Sequence, residues 1–401
     1  MSHPVTDITA QDWFQAASTR QVMDALEKAC PGGARFVGGC VRNALLGVPV
    51  SDVDIATQLK PEETMAALKA AGIRAIPTGI EHGTITAVIE HEPFEITTLR
   101  RDIETDGRHA VVAFTDDWNE DAARRDFRMN ALYADRQGKI HDPTGGGIAD
   151  IASRKIAFIG DARERLREDH LRNLRFFRFS AWYGHEIDAT GLAACAAEKD
   201  GLEQIAAERI WKEIYRLLDA PSPLASVTAM HEAGVLQTIL PECEDLSRLS
   251  GLLRIEDGHG YRFTGFDRFL SLLPRDEVAL RVVAERLRMS GQERTRLVKF
   301  ARAEQVFAPD MSDETAKVGL YNEDDQAAED LILWQWSEDP DKSWGPLFSL
   351  ARNWERPVFP VTGADLLAKG IPAGPAIGQS LRELEQVWIR NGFKMKPKLA
   401  E

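Results

Sequence analysis

With 401 residues, 44% hydrophobic and 28% charged, the chain has material for about two to four packed domains and none of the bias of a disordered or fibrous polymer. No apolar run approaches the ~18 residues of a membrane helix, and the N-terminus lacks a basic segment followed by an apolar core, so a cytoplasmic protein without membrane contact is expected. The net charge of −14 argues against nucleic acid only for the chain as a whole: between Arg154 and Arg178 eight basic residues stand against four acidic ones, enough for one basic face.

In chain order, residues 1–12 read as a loose start, and Trp13, Phe14, Val22, Met23 and Leu26 suggest one or two helices to Ala29, ended by Pro31-Gly32-Gly33. Arg35 to Gly47 then reads as a short buried strand, a glycine turn at Gly38-Gly39 and a helical turn carrying Arg42. Ser51 to Thr57 reads as a second strand, on which Asp52 and Asp54 project from one face with Val53 and Ile55 behind. Two neighbouring carboxylates are costly unless a cation sits between them, and Mg²⁺ suits hard oxygen ligands while leaving room for phosphates. Paired glycines let backbone N–H groups at a helix start approach phosphate, and Arg42 stands where it could grip a triphosphate. A metal-dependent nucleotide site is the expectation, and it is not a dinucleotide fingerprint, since no G-x-G-x-x-G is present.

The run Gly38-Gly39-Cys40-Val41-Arg42-Asn43-Ala44-Leu45-Leu46-Gly47, followed by Asp52-Val53-Asp54, resembles the first motif of the class II tRNA nucleotidyltransferases (CCA-adding enzymes) and their bacterial poly(A) polymerase relatives. The resemblance implies that Gly38, Gly39, Arg42 and Asn43 bind nucleotide and that Asp52 and Asp54 are catalytic metal ligands. The family usually has Asp where this chain has Asn43, an amide of similar shape that alters local charge.

Pro61 to Ala71 reads as a helix closed by Gly72. Gly79 to Gly83 is a turn, Thr84 to Ile89 a β-branched strand, and His91-Glu92-Pro93 turns it back into Phe94 to Leu99. Glu95 is a third catalytic carboxylate if the resemblance holds, or an edge-strand acid facing water. Arg100 to Asn119 is polar, with a mobile loop at Asp106-Gly107-Arg108-His109. In similar enzymes this region helps switch nucleotide specificity, which makes Arg108 and His109 candidates. Arg124 to Leu132 resembles the family's second signature; at helical spacing Asp126 and Asn130 share a face and could jointly hold a sugar hydroxyl or the neighbouring backbone, with Arg125 reaching phosphate. The glycine triplet after Pro143 reads as a domain junction.

Asp161, with Glu164 three residues on, looks like the start of a helix running through Trp182, with Leu171, Leu174, Phe177 and Ala181 as its core stripe. Asp169, Arg172, Arg175 and Arg178 step around the other side. As an ordinary ion pair, Asp169 and Arg172 would be worth little. As a recognition edge they have a specific chemistry: cytosine and adenine each present an amino donor beside a ring-nitrogen acceptor, which a carboxylate and a guanidinium complement. Guanine and uracil present the reverse and would leave buried polar groups unpaired. The segment resembles the family's Glu-Asp-x-x-Arg motif, which does this without a template, with Arg175 and Arg178 directed to phosphates and supporting helices. Glu208-Arg209 matches a further helical motif and is expected to buttress this helix.

Beyond Pro221-Ser222-Pro223 the chain reads as helical, with Trp334, Trp336, Trp344, Trp354 and Trp388 as packing residues, and Cys30, Cys40, Cys195 and Cys243 are scattered as in a reduced cytoplasmic protein. The expected fold is α+β: a nucleotidyltransferase head with a small mixed β-sheet (1–150), then an all-helical neck (151–222), body (223–330) and tail (331–401). The resemblance implies addition of C, C and A to tRNA 3′ ends from CTP and ATP with Mg²⁺. Its rivals are CC-only, A-only or poly(A) addition, or an inactive RNA-binding relative.

Overall fold

The computed structural model describes residues 7–105 and 110–394, which form two compact units, Met1–Pro241 and Glu242–Glu401. Arg108 and His109 lie outside the described residues. In the first unit, helices α1 (Asp12–Gln15) and α2 (Ala17–Ala29) precede β1 (Ala34–Val37), α3 (Gly39–Leu46), β2 (Asp54–Thr57) and α4 (Pro61–Ala70). There follow β3 (Arg74–Gly79), β4 (Thr84–Ile89), β5 (Glu92–Thr98), β6 (Arg100–Thr105), β7 (Ala110–Phe114), α5 (Trp118–Ala123), β8 (Tyr133–Ala134) and β9 (Ile140–His141). Seven strands make one mixed sheet in the order β3-β4-β5-β2-β1-β8-β9, in which β2 and β5 run parallel; β6 and β7 pair separately.

Three departures from the sequence expectation have local causes. The β4–β5 reversal is Glu90-His91, both at positive φ, a two-residue turn whose twist suits a hairpin. Pro93 therefore already lies in β5, on the stretch that outruns the β2 pairing beginning at Glu95, where a missing N–H is tolerated. Strand β3 was hidden by Pro77, which sits at a register shift on the sheet edge. The polar stretch after Arg100, given no strand by its sequence, contains the antiparallel pair β6 and β7.

A layer of helices continues the first unit: α6 (Gly147–Ser153), α7 (Ala162–Glu168), α8 (Leu171–Tyr183), α9 (Ala189–Ala197), α10 (Ala207–Leu218), α11 (Leu224–Glu232) and α12 (Val235–Ile239). The expected long helix from Asp161 is two, broken at Asp169-His170: Asp169 is extended, and its carboxylate accepts the Leu171 N–H at 3.1 Å, starting α8 afresh. Asp161 does cap α7, accepting from Glu164 N. The expected α-helix through Asp126 and Asn130 is a β-bridge, Phe127 with Phe158, followed by a 3-10 turn at Arg128–Asn130. Aromatic packing fixes this corner: Phe127, Phe158, Phe176 and Phe179 form one buried group with centroid spacings of 5.0 to 6.5 Å.

The described part of the second unit is helical: α13 (Ser247–His259), α14 (Gly265–Leu270), α15 (Glu277–Arg286), α16 (Gly291–Arg302), α17 (Asp313–Asn322), α18 (Asp325–Glu338), α19 (Gly345–Asn353), α20 (Gly363–Ala368) and α21 (Pro375–Arg390). α18 crosses position 330 and supplies Leu331, Ile332 and Trp336 to a core shared with Leu252, Phe263 and Phe348. Trp344 and Trp388 are buried as well. No helix among the described residues is long and apolar enough to cross a membrane.

Candidate active site

A cavity of about 470 Å³ opens in the first unit, with α3, the start of β2, the Arg124–Asn130 segment and one face of α8 in its lining. Seven arginines (42, 100, 124, 125, 172, 175 and 209) line it against three aspartates (54, 126 and 169). An excess of fixed cations in a concave wall attracts a polyanion of nucleoside-triphosphate charge.

Gly38 turns the chain into α3 at φ 69°, ψ −119°, a conformation that only glycine adopts without strain, and places Gly38 and Gly39 on the cavity wall. One turn on, Arg42 is only 7% exposed. Its Nε and Nη2 donate to Asn43 Oδ1 at 3.1 and 2.8 Å, Nη1 to Asn130 Oδ1 at 2.7 Å, and Nη2 to the Tyr183 hydroxyl at 2.9 Å. Burial pulls this guanidinium below its usual range, while the nearby Tyr183 and Asp126 oppose the shift. Asn43 keeps the acceptor role toward arginine and also donates to the Pro49 carbonyl at 2.8 Å, which a carboxylate could not do. Asn43 itself is not among the residues lining the cavity.

Asp54 opens β2 opposite Glu95 of the parallel β5. Asp52 precedes the strand, so the two acids are not both strand residues as expected. Burial, then the charges of Glu95 and Asp52, push the Asp54 carboxyl up to about 6, against Arg125 and Arg42. Behind it the buried Cys40 thiol donates to the Val37 carbonyl at 3.3 Å; burial and the Asp54 charge push it up to about 12, so it is packing, not a nucleophile. Glu95 is exposed, and among the described residues no three His, Cys, Asp or Glu side chains stand close enough to hold a metal ion by themselves. Mg²⁺ does not require such a cage: one or two carboxylates, water and substrate phosphate suffice.

In the second motif Arg125 Nη2 bonds Asp121 at 3.0 Å and its Nε reaches the Tyr133 hydroxyl at 3.3 Å. Burial would raise Asp121, but Arg125 and Arg124 hold it down at about 2. Asp126 is a junction: Oδ2 accepts from Arg175 Nε and Nη2 at 2.8 and 2.5 Å, and Oδ1 from Asn130 Nδ2 and Phe127 N at 2.9 and 2.8 Å. Four donors meet its two oxygens: the neighbouring backbone N–H of Phe127, the Asn130 amide and two N–H groups of Arg175.

Asp169 and Arg172 both line the cavity but do not pair with each other. Arg172 Nη1 donates to Glu168 at 2.7 Å and the Arg165 carbonyl at 3.1 Å, and Nη2 to the Arg124 carbonyl at 2.8 Å. Its Nε–H and one Nη2 hydrogen have no partner among the described residues. Asp169 lies 3.2 Å from Arg209 Nη2, which brings Arg209, expected only to buttress, onto the cavity wall. Arg178 donates to Glu213 on α10 at 2.6 Å, tying two helices, and is not among the residues lining the cavity. Tyr183 carried no sequence motif; its only signal was its spacing, one turn beyond Phe179.

A strand-end acid beside an arginine-lined cavity on a mixed sheet is the arrangement of a nucleotidyltransferase. Residues 34–157 match the family model described as "Poly A polymerase head domain", and residues 184–246 that described as "Probable RNA and SrmB- binding site of polymerase A". The chain is 34% identical over 377 residues to the mitochondrial CCA tRNA nucleotidyltransferase 1 of Mus musculus, covering 90% of this chain and 84% of the relative. It is 41% identical over 199 residues to a Streptococcus pyogenes CCA-adding enzyme, covering 49% and 48% of the two. The crystal structure of the Bacillus stearothermophilus CCA-adding enzyme in complex with CTP superposes with a TM-score of 0.73 at 26% identity, covering 94% of each chain. The chain belongs to the class II tRNA nucleotidyltransferase and poly(A) polymerase family.

Proposed function

We propose that this chain adds C, C and A to the 3′ end of tRNA, consuming CTP and ATP and releasing pyrophosphate. The observation that carries the reading is the arginine-rich cavity whose lining includes Asp54, Asp169 and Arg172. The tRNA 3′-hydroxyl oxygen would lose its proton to water and form a bond to the α-phosphorus as the bond to pyrophosphate breaks. Arg42 and Arg125 hold the triphosphate, and the Gly38-Gly39 turn lets backbone approach it. Asp169 accepts from the amino group of cytosine or adenine, and the Arg172 hydrogens left unpartnered donate to the ring nitrogen; three protein acceptors hold that guanidinium rigid.

Asp52 and Asp54 suit Mg²⁺: both are hard oxygen donors, and Asp54 stands on the cavity wall with Glu95 opposite it on the neighbouring strand. When bound, Mg²⁺ would polarise the α-phosphate and stabilise the leaving group. Residues 1–150 are assigned as head, 151–222 as neck, 223–330 as body and 331–401 as the tail gripping tRNA. The four unpaired thiols suit a reducing compartment such as the cytoplasm.

The test is incorporation into tRNA ending before its first added C. CTP alone should add two residues, ATP should then add one, and UTP and GTP none. A poly(A) tail, addition of a single nucleotide type, or no extension with Mg²⁺ present would overturn the reading.

A further inference from the structure

The face that α8 turns toward the cavity is longer than base recognition needs. Arg172, Arg175 and Phe179 line the cavity, and Tyr183, one turn further, closes on Arg42. The Arg42 guanidinium carbon stands 4.2 Å from the Tyr183 ring centroid and 5.1 Å from that of Phe179, while Nη2 donates to the Tyr183 hydroxyl. Arg42 is thus buried among two amides, the Tyr183 phenol and the Phe179 ring, and no carboxylate among the described residues bonds it directly. The nearby Asp126 has its oxygens filled, two of the four donors coming from Arg175.

A cation kept dry among neutral partners is suited to a ligand that brings its own negative charge. Four of the guanidinium N–H bonds are met by Asn43, Asn130 and Tyr183, which leaves one Nη1 hydrogen and the net charge for that ligand.

We propose that Tyr183 is a positioning residue for the triphosphate: its ring and hydroxyl fix Arg42 in its ligand-binding orientation and so join the far end of the base-reading helix to the phosphate site. This rests on the nucleotidyl-transfer reading above and assigns a residue to the half of the substrate that CTP and ATP share.

Tyr183→Phe keeps the ring and removes the hydroxyl, whereas Tyr183→Leu removes both. In steady-state addition to tRNA, Tyr183→Phe should raise KM for CTP and for ATP by the same factor, about three- to tenfold, and Tyr183→Leu by more. The kcat should stay within about twofold, and discrimination of C over U should not move. Inorganic triphosphate, competing with CTP, should lose affinity by the same factor as the KM rises. In an Arg42→Lys background Tyr183→Phe should add nothing further, a non-additivity that a merely structural role would not produce.

Unchanged KM and triphosphate affinity in both variants would overturn the proposal. So would a change in C-over-U discrimination as large as the change in KM, since Tyr183 would then act on the base. If the wild-type chain extends no RNA, nucleotidyl transfer fails as a reading; calorimetry with inorganic triphosphate still decides the role of Tyr183, a weaker affinity in Tyr183→Phe supporting it and an equal one refuting it.

Discussion

One buried arginine from each unit makes a contrast of partners. In the first, Arg42 is held by Asn43, Asn130 and Tyr183, all neutral. In the second, Arg268 is wholly buried against Glu256 at 2.6 Å, and Arg296 bridges Asp330, at 2.7 Å, and Asp267. A cleft of about 620 Å³ in the second unit, larger than the candidate site, is lined by Arg296 and Lys299, yet each is neutralised by an aspartate, Lys299 by Asp324 at 2.6 Å. Cavity size alone therefore misleads. Arg42, whose hydrogen-bond partners are all neutral, keeps its net charge for a ligand, whereas Arg268 and Arg296, met by carboxylates, hold the fold together.

The sharpest break of this contrast comes at the acid that the arginines face. Asp54→Asn should abolish nucleotide addition, by about 10³-fold or more, and leave tRNA binding by gel shift intact. Retained turnover would remove Asp54 from the chemistry. Next in size, Arg268→Ala should cost about 3–5 kcal/mol of stability, read by chemical denaturation, because it leaves Glu256 buried and unpaired. Its KM for CTP should be unchanged wherever the protein is folded. Arg42→Met should shift the balance, raising KM for CTP and ATP at least about tenfold while costing less stability than Arg268→Ala, because the acceptors it leaves unmet are neutral. Equal loss of stability in the two variants would erase the distinction. Smaller again, Arg172→Ala should lower the C-over-U ratio of kcat/KM by about 10- to 100-fold, measured by competitive incorporation; unchanged fidelity would remove Arg172 from base choice.

What was legible in the sequence was local. The Gly38-Gly39 turn, Arg42 one turn later and the strand that carries Asp54 depend on neighbours within twenty residues and were read correctly, although the strand starts at Asp54 and leaves Asp52 before it. Partners from distant segments were not legible. The break at Asp169 looks in sequence like mid-helix, because Glu168 through Arg172 is compatible with helix; a carboxylate capping Leu171 decides otherwise. Asp126 and Asn130 do meet, at 2.9 Å, but a 3-10 turn and the Phe127–Phe158 bridge bring them together rather than helical periodicity. Arg178 and Phe179 lie three and four residues beyond Arg175, so either could share its face; Glu213 on α10 draws Arg178 away and leaves Phe179 on the cavity.

Acid should separate the two units by the same logic of pairing. In the first unit, Asp121 and Asp126 sit at about 2, where burial, which alone would raise them, is outweighed by Arg125 and Arg124 for one and by Arg175 and Asn130 for the other. A folded value below the unfolded one, near 3.9, means stability that is fully present above pH ~4 and lost as pH falls toward 2, on the order of 2 kcal/mol for each group. In the second unit Asp330 is shifted the other way: burial raises it despite Arg296, so folding is favoured by its protonation and that contribution grows as pH falls. Amide exchange of the whole chain at pH 5 and pH 3, corrected for intrinsic rates, should show protection falling first around α5 and β8, which carry Asp121 and Tyr133, while α18 around Asp330 keeps more of its own. Earlier loss in α18 than in β8 would mean that the arginines around Asp121 and Asp126 do not hold those carboxylates in the ionised state.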